Sequence, residues 1–403
     1  MGGNYTMTDK REEGALEGLK ILDFSTLLPG PFATTMLADL GAEVLKISGP
    51  GKPDIVLDYP PFIEGTTVSA NQAWLGRNKK TMLLNLKKPG AVEVVKKLIM
   101  EYDIVMEQFR PGVMEKLGLG YEALAEINPR LIYCSLTGYG QTGPLSHRAG
   151  HDINYLARSG NMAQAGRAET GPVLTNMQVA DVAVGSMNSV IGILAAVQYR
   201  NRTGKGQRVD IAMLDGLIPF NGMDGTAFLA AGKVPKREGE RLNGGCMYDF
   251  YETKDGQYLS VGALEPKFWA EFCHCIGRED LIEGSVWPED VKAVKEVIRG
   301  ILKEKTRDEW MAVFDGCDVC VEPVLSVQEA LLEDAHIRAR EMVVEVELPL
   351  SDGKKVPQYG TAVKLSESPA QYRFGGYPVG YHTEAVLKAL GCSDDAIESL
   401  TSI

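Results

Sequence analysis

Short apolar segments alternate with segments of helical spacing along the first third of the chain. Apolar segments of strand length lie at 19–24, 43–47, 81–86, 103–106 and 131–136. Between them, residues 32–40 and 89–101 repeat apolar side chains at the period of an amphipathic helix. This alternation predicts crossover connections, and therefore an open, Rossmann-like parallel sheet of the α/β class. Ligands of such sheets bind beyond the carboxyl ends of the strands.

The pattern changes in the second half of the chain. Residues 182–199 are mostly apolar and predict a long helix. The segments 248–251 and 258–261 flank Lys254-Asp255-Gly256, a turn sequence typical of a β-hairpin. Helical spacing at 268–276 and 291–303 and an extended segment at 319–324 complete a smaller α+β unit.

We therefore predict two domains. A large α/β domain takes residues 1–210, a linker takes 211–243, and a small α+β domain takes 244–330. Residues 331–403 return to the large domain, with β-like segments at 342–348 and 363–365 and a final helix at 383–390.

Composition and charge narrow the possible functions. The 403 residues are 44% hydrophobic and 24% charged, which is typical of a globular protein. The formal net charge of -12 disfavours a nucleic acid or a membrane surface as partner. No apolar run reaches the roughly 18 residues of a membrane span, and the polar first residues do not resemble a signal peptide. The odd number of cysteines, 7, suits reduced thiols, so we expect a cytoplasmic protein.

Positive charges concentrate near predicted strand ends. They are Arg77, Lys79, Lys80, Lys87 and Lys88, with Arg110 and Lys116 further along. On an acidic chain such a cluster could hold phosphate groups, or it could be a solvated face, and the sequence leaves both interpretations open.

His151 and Asp181 are the residues to which we assign chemistry. His151 follows a Gly- and Pro-containing loop beyond a predicted strand, whereas the other histidines are more simply explained as structural. Asp181 would be the N-cap of a helix that begins at Val182, a structural role that also lowers a carboxylate pKa. A histidine and a carboxylate on opposite sides of one carbon atom could remove a proton from one face and return it to the other. Glu265 lies on a turn after the hairpin, where a surface carboxylate is the alternative interpretation.

Two cysteine pairs suggest zinc. Cys273 and Cys275 are two positions apart in a predicted helix and so point to different faces, while Cys317 and Cys320 have C-x-x-C spacing without a second pair of ligands. Buried free thiols are therefore the better interpretation of all four.

The chain resembles the family III CoA-transferase superfamily (CaiB/BaiF type) over nearly its whole length, and within it the α-methylacyl-CoA racemases. The residues that carry the superfamily resemblance are 16–20, 29–31, 37–44, 110–113, 117–120, 137–144, 203–207 and 382–383. Racemases differ from transferases in the segments that match 150–155 and 262–266 here. The family's transferases usually keep the aspartate that matches Asp181, as a nucleophile, and usually lack the histidine that matches His151.

The resemblance implies a role for each residue. His151 and Asp181 would be the two acid/base groups, and Glu265 from the partner subunit of an interlocked homodimer would hydrogen-bond His151. The resemblance also implies residues that contact CoA and substrate: Leu84, Asn85, Leu86, Lys87, Gln108, Phe109, Arg110, Lys116, Gly150, Asp152, Ile153, Asn154 and Tyr155. Acyl-CoA would be the substrate, and neither a metal nor a redox cofactor is needed.

The sequence departs from the family pattern at two places. The arginine expected near the CoA adenine is absent, because Gly49 falls about there and the loop to Gln72 is longer than usual. Lys46 or Lys52 is the candidate replacement. Lys116 stands where racemases often have arginine, and it lacks the bidentate fork of that residue.

The expected activity is interconversion of the 2R and 2S epimers of 2-methylacyl-CoA thioesters through an enolate. The alternative activity is transfer of CoA from an acyl-CoA to a carboxylic acid, with Asp181 as nucleophile. A third possibility is an acyl-CoA-binding protein without activity, against which the presence of His151, Asp181 and Glu265 together argues.

Overall fold

A computed structural model of the chain describes residues 14–51 and 53–403. Lys52 and the polar segment before residue 14, both interpreted from the sequence, lie outside the described residues.

The strands, in chain order, are β1 (Lys20–Asp23), β2 (Glu43–Ser48), β3 (Lys79–Leu83), β4 (Ile104–Glu107), β5 (Ile132–Thr137), β6 (Gln207–Ala212), β7 (Asp249–Glu252), β8 (Tyr258–Val261), β9 (Val321–Pro323), β10 (Val343–Glu347) and β11 (Lys355–Tyr359).

The α-helices are α1 (Pro29–Asp39), α2 (Ala70–Leu75), α3 (Ala91–Ile99), α4 (Val113–Lys116), α5 (Tyr121–Ile127), α6 (Asp152–Arg158), α7 (Asn161–Gln164), α8 (Met187–Thr203), α9 (Met213–Leu217), α10 (Gly222–Ala231), α11 (Pro266–Cys275), α12 (Val291–Leu302), α13 (Arg307–Phe314), α14 (Ala335–Ala339), α15 (Thr383–Ala389) and α16 (Asp394–Thr401). Two π-helical segments, Val179–Ser186 and Glu329–Glu333, and two 3₁₀ turns, Ile218–Asn221 and Glu279–Leu281, complete the elements.

The described chain divides into two compact units whose boundaries differ from those predicted. The first contains the chain up to Tyr155, Met177–Leu217 and His336–Ile403, and the second contains Leu156–Asn176 and Ile218–Ala335. Residues 156–176 therefore leave the predicted large domain, and most of the predicted linker folds with the small domain. Side-chain amides hold these segments together within the second unit, since Asn221 donates to the Ser159 carbonyl over 2.9 Å. Such long-range bonds leave no periodic pattern in the sequence.

The first unit is built on a six-stranded parallel sheet, which confirms the predicted α/β class. The strand order is β3-β2-β1-β4-β5-β6. Leu22 in the central strand β1 pairs with Leu45 on one side and with Val105 on the other, and it is fully buried. The order reverses between β1 and β4, so the crevice for a ligand is expected beyond their carboxyl ends. The sixth strand, β6, was not predicted, although residues 208–211 alternate between polar and apolar side chains.

The apolar helix begins earlier and ends later than predicted. The π-helical segment Val179–Ser186 continues directly into α8, giving 25 helical residues to Thr203 that are long and apolar enough to cross a membrane by length and composition alone. The expectation that no such segment exists was therefore wrong. Ile193 and Ala196 are nevertheless buried, and α8 packs on β5, β6 and α1. The core helix of a globular unit passes the same test of length and composition.

The second unit has its own core. Strands β7 and β8 form the predicted antiparallel hairpin, and β9 adds to β8. Four aromatic side chains from α11 and α13 fill the space beside this sheet, with ring centroids 5.6–6.0 Å apart: Trp269, Phe272, Trp310 and Phe314. One strand prediction elsewhere fails, because residues 363–365 carry no strand and β10 pairs with β11 instead.

Two members of the sequence's basic cluster are buried structural ions rather than phosphate ligands. Arg77 forms a two-pronged ion pair with Asp39 over 2.6 and 2.9 Å, and the two side chains are only 2% and 3% exposed. Lys79 donates to the Thr34 hydroxyl and lies 3.6 Å from the Asp23 carboxylate. The solvated-face interpretation fails for them as well, because both residues are only 2% exposed.

Arg77→Ala should lower the free energy of unfolding by about 3–5 kcal/mol, because it leaves the Asp39 carboxylate buried without its partner. The matched control is Lys80→Ala, since Lys80 pairs with Glu43 over 3.2 Å on the exposed surface. That control should cost less than about 1 kcal/mol. Urea denaturation followed by circular dichroism measures both values, and equal losses in the two variants would contradict a dominant role for the buried pair.

Candidate functional site

The turn that follows β1 is fixed against the segment that follows β4. The Gly30 N–H at the start of α1 donates to Gln108 Oε1 over 3.1 Å. A Cβ atom at Gly30 would lie 2.2 Å from the Ser25 side chain and 2.7 Å from that same Gln108 oxygen, so only glycine fits. This bond joins the two strand ends at the point where the strand order reverses. Gln108, which was predicted to contact CoA, therefore has a structural bond of its own.

The π-helical segment Val179–Ser186 packs against α1 and brings Asp181 to this edge of the sheet. The Ser186 hydroxyl anchors it by donating to the Pro29 carbonyl over 2.7 Å. Asp181 is the third residue of the helical segment and Gln178 is its N-cap, so the predicted N-cap role of Asp181 is wrong. The helix starts three residues early because apolar Val179 and Ala180 take helical positions, and Ala180 is fully buried. π-Helical segments often occur at functional sites.

Asp181 is joined to the segment that carries His151. Its backbone N–H donates to Asp152 Oδ1 over 3.0 Å, and Asp152 is the first residue of α6. His151 immediately precedes α6, with its N–H held by the Asn154 side chain over 3.0 Å. The structure thus brings His151, Asp152 and Asp181 together in the first unit, although 30 positions separate the outer two in the sequence.

The surroundings of Asp181 favour the protonated, neutral form of its carboxyl group. Partial burial, followed by the nearby charge of Asp152, raises its pKa from 3.8 to about 6, while His151 opposes the shift. The sequence analysis expected a lowered value from a helix terminus. Burial and the like charge of Asp152 outweigh that effect. A pKa near 6 suits a group that both takes up and releases protons near neutral pH.

The Tyr155 side chain supports the backbone of the segment that carries His151. It is buried, and its hydroxyl donates to the Gly150 carbonyl over 2.6 Å. A Cβ at Gly150 would lie 2.7 Å from the Tyr155 ring, and one at Gly138 only 2.4 Å from it. These two glycines let the ring support the loop before α6. Gly150 and Tyr155 were predicted to contact substrate. In the structure they support the backbone of this loop, whereas Ile153 and His151 are exposed.

The other predicted CoA residues fall into two groups. Leu84 is buried in the core, Leu86 and Phe109 pack partly against that core, and the Asn85 amide donates to the Ser402 carbonyl over 2.9 Å. The cations that follow the carboxyl ends of β3 and β4 are exposed: Lys87, Arg110 and Lys116. Among the predicted CoA residues, only this second group exposes positive charge. Lys46, the candidate replacement for the missing arginine, is buried and donates to the Ser25 carbonyl.

Glu265 stands where the sequence placed it, between β8 and α11 in the second unit. It is the N-cap residue of α11, makes no side-chain capping bond, and is exposed. Its charge contributes, after burial, to a raised pKa of the Cys320 thiol. The expected hydrogen bond of Glu265 to His151 stays a prediction.

The sequence analysis missed Glu107 as a candidate site residue. It ends β4 as a buried carboxyl, and its oxygen accepts the Phe109 N–H over 2.8 Å. Burial raises its pKa to about 7, although the bond from the Phe109 N–H opposes the shift. The signal available in the sequence was an acidic residue directly at the end of an apolar strand.

Comparison with known proteins places the chain among CoA-dependent enzymes. The sequence profile of CoA-transferase family III matches residues 16–383. The chain is 35% identical to the α-methylacyl-CoA racemase of Homo sapiens, over 96% of each protein. It is also 34% identical to the succinyl-CoA:glutarate CoA-transferase of Mus musculus, over 96% of this chain and 88% of that protein. Among solved structures, a CAIB/BAIF family protein from Brucella suis matches with a TM-score of 0.82 and 29% identity, over 94% of this chain and 100% of that chain.

Asp181→Asn should stabilise the protein at high pH. The folded pKa of about 6 exceeds the ordinary value of 3.8, so ionisation of Asp181 costs folding free energy as the pH rises through that interval and above it. The shift corresponds to at most about 3 kcal/mol, which solvent access reduces to about 1 kcal/mol.

The free energy of unfolding of Asp181→Asn, relative to the native chain, should rise as the pH increases from about 4 to about 8. Chemical denaturation across that range measures the difference, and Glu169→Gln, at an exposed loop carboxylate, is the control. A variant that is less stable than the native chain at high pH would contradict the assignment.

Proposed function

The chain belongs to CoA-transferase family III, and from that membership we propose that it interconverts the 2R and 2S epimers of 2-methylacyl-CoA thioesters. The proposal is carried by one observation, a histidine beside an aspartate whose pKa is raised to about 6. A thioester carbonyl acidifies the α-C–H bond, so a pair of proton-exchanging groups suffices for the chemistry.

In the proposed reaction, one of His151 and Asp181 removes the α-proton and the other delivers a proton to the opposite face. The electron pair of the broken C–H bond moves into the enolate, and the second proton transfer restores the thioester with inverted configuration. In the reverse direction the two residues exchange roles. A carboxyl group with a pKa near 6 is well matched to both roles.

The enolate oxygen needs hydrogen-bond donors, because positioned acids and bases contribute only about 10²–10⁴-fold each. The first N–H groups of a helix have no acceptor within the helix. We assign this role to the N–H groups of Asp152 and Ile153 at the start of α6. The Asp181 N–H is excluded from the role, because it donates to Asp152.

The exposed cations Lys87, Arg110 and Lys116 would bind the phosphates of CoA, since they follow the carboxyl ends of β3 and β4. Gln108, two residues before Arg110, would fix the position of that segment through its bond to the Gly30 N–H. The acyl-CoA thioester enters the proposal as substrate, and the residues assigned to the proton transfers require no additional cofactor.

A homodimer is part of the proposal. Large apolar side chains are exposed on α8 and α10, where Ile191 is 63% exposed and Leu229 is 83% exposed. Exposed apolar side chains in each unit are available for protein–protein contacts. In the proposed dimer, Glu265 of the partner subunit accepts a hydrogen bond from His151 and fixes the tautomer of its imidazole.

CoA transfer is the second candidate function, supported by the 34% identity to a CoA-transferase. In that reaction the Asp181 carboxylate attacks the thioester carbonyl and expels the CoA thiolate, leaving a mixed anhydride. The thiolate then attacks the aspartyl carbonyl and releases the carboxylic acid, and an incoming acid accepts the CoA through a second anhydride. His151 has no required role in those steps, so the two functions make different demands on one residue.

Incubation with a single epimer of a 2-methylacyl-CoA in D₂O should place deuterium at the α-carbon and yield both epimers. His151→Ala should lower the rate by about 10²–10⁴-fold, because it removes one acid/base group. His147→Ala is the matched control at an exposed histidine four positions earlier and should leave the rate unchanged. Mass spectrometry and chiral chromatography of the thioester measure the two outcomes.

The transferase alternative predicts a different pattern. His151→Ala would spare activity between an acyl-CoA and a free acid, and hydroxylamine would trap an adduct at Asp181. Native enzyme that gives neither α-deuterium nor epimerisation would reject the racemase proposal. Tight acyl-CoA binding without either reaction would favour a binding protein.

A further inference from the structure

Two cysteines from different sequence pairs meet beside a glutamate in the second unit. Cys275 lies at the end of α11 and Cys317 follows α13, and their sulfur atoms are 3.3 Å apart. Glu271 lies one helical turn before Cys275, and one of its carboxylate oxygens is within 4.8 Å of both sulfurs. The C-x-x-C spacing of Cys317 and Cys320 was therefore misleading, because Cys320 stands apart from this group and is exposed.

The expected burial of these thiols is also only partly right. Cys273 is buried in the core, but Cys275, Cys317 and the carboxylate of Glu271 are half-buried and accessible to a small ion. Positions 271 and 275 of α11 share one helix face, which is why the glutamate and the cysteine point the same way. Cys273 points elsewhere, as the sequence analysis expected.

The separation of the two sulfurs fits a shared cation better than a disulfide. Two thiolates bound to one tetrahedral zinc ion at about 2.3 Å lie roughly 3.8 Å apart, so the sulfurs need to separate by only about half an ångström. A disulfide, at about 2.05 Å, would need an approach of more than an ångström. The Glu271 carboxylate supplies an oxygen as the third ligand, which a disulfide would not use.

We propose that Glu271, Cys275 and Cys317 form a binding site for a thiophilic divalent cation of the Zn²⁺ class. Two thiolates and one carboxylate supply three ligands, and water supplies the fourth. The site carries three negative charges when its thiols are ionised, and a divalent cation neutralises two of them. Soft thiolate ligands select zinc-like ions over magnesium or calcium.

Binding at this site is coupled to protons. Burial, followed by the bond to Cys317, raises the pKa of Cys275 to about 12. A cation that binds both sulfurs as thiolates displaces the proton of each thiol, and it forms two metal–sulfur bonds and one metal–oxygen bond. The apparent affinity should rise with pH for that reason.

The position of the site in the fold indicates a structural role. The cation would pin the end of α11 to the connection between α13 and β9. Glu265 begins the same helix, and Cys320 in that connection accepts the Gly262 N–H through its carbonyl over 2.9 Å. Occupancy would therefore stiffen both segments around Glu265. The inference does not rest on the proposed racemase activity, since it uses none of the acid/base residues.

Titration of the full-length protein with Co²⁺ in the presence of a phosphine reductant tests the site. The native chain should bind about one Co²⁺ per chain with a thiolate-to-cobalt charge-transfer band, and Zn²⁺ should displace it. Cys275→Ser and Cys317→Ser should lose the band, and Glu271→Gln should keep a weakened band with lower affinity. Cys392→Ser, at a half-buried cysteine of the first unit, is the matched control and should bind as the native chain does.

The outcomes that would overturn the proposal are equally distinct. Reduced native protein that shows no charge-transfer band rejects the site, as does a band that survives in Cys275→Ser or Cys317→Ser. Mass spectrometry of non-reduced peptides that links Cys275 to Cys317, together with no cobalt binding after reduction, would assign a redox pair instead. If a serine variant fails to fold, removal of Co²⁺ from the native chain by a chelator, with loss and recovery of the band, and the Glu271→Gln titration still decide the question.

Discussion

A buried carboxylate at the end of the central strand organises the first unit. Asp23 is completely inaccessible, and it accepts hydrogen bonds from the Ser25 and Thr34 hydroxyls while Lys79 approaches to 3.6 Å. Burial alone would raise its pKa, but Lys46, Lys79 and the two hydroxyls hold the pKa below its ordinary value. An unpaired charge here would cost several kcal/mol, so these partners must assemble together. Their assembly sets the path of the β1–α1 turn, against which the π-helical segment carrying Asp181 packs.

The chemistry of the candidate site follows from charges that are placed close together at the edge of this frame. Asp152 is near enough to raise the pKa of Asp181 and at the same time binds the Asp181 N–H. The Asp152 side chain therefore both holds the segment that carries Asp181 and raises the pKa of the Asp181 carboxyl group. Ionisation of Asp181 in this arrangement destabilises the fold. A loss of stability of this kind is common at functional sites. The chemistry of the arrangement suits either proton transfer or nucleophilic attack, and racemases and transferases both occur among the relatives.

The second unit links its two unusual features through one helix. Glu265 begins α11, and Glu271 and Cys275 lie on the face of its later turns. The aromatic core under this helix, with Trp269 and Phe272 buried, makes it a rigid element. A cation near the end of α11 and the exposed carboxylate of Glu265 at its start would then be joined by one rigid helix. The two sites remain chemically independent.

The sequence by itself determined the α/β class, the hairpin and the identity of His151, Asp181 and Glu265 as candidates, because strand periodicity, turn residues and local motifs are properties of neighbouring positions. It gave no means to see that Arg77 and Lys79 are buried, that Asp152 adjusts Asp181, or that Cys275 meets Cys317 rather than Cys273. Residues 156–176 were also assigned to the wrong unit and β6 was not predicted, since a hydrogen bond from Asn221 to Ser159 and the pairing of β6 with β5 hold these segments in place. Only the tertiary structure decided these features. Burial and pairing of charges depend on which distant segments meet, and the low polarity of the interior then fixes how much each charge matters.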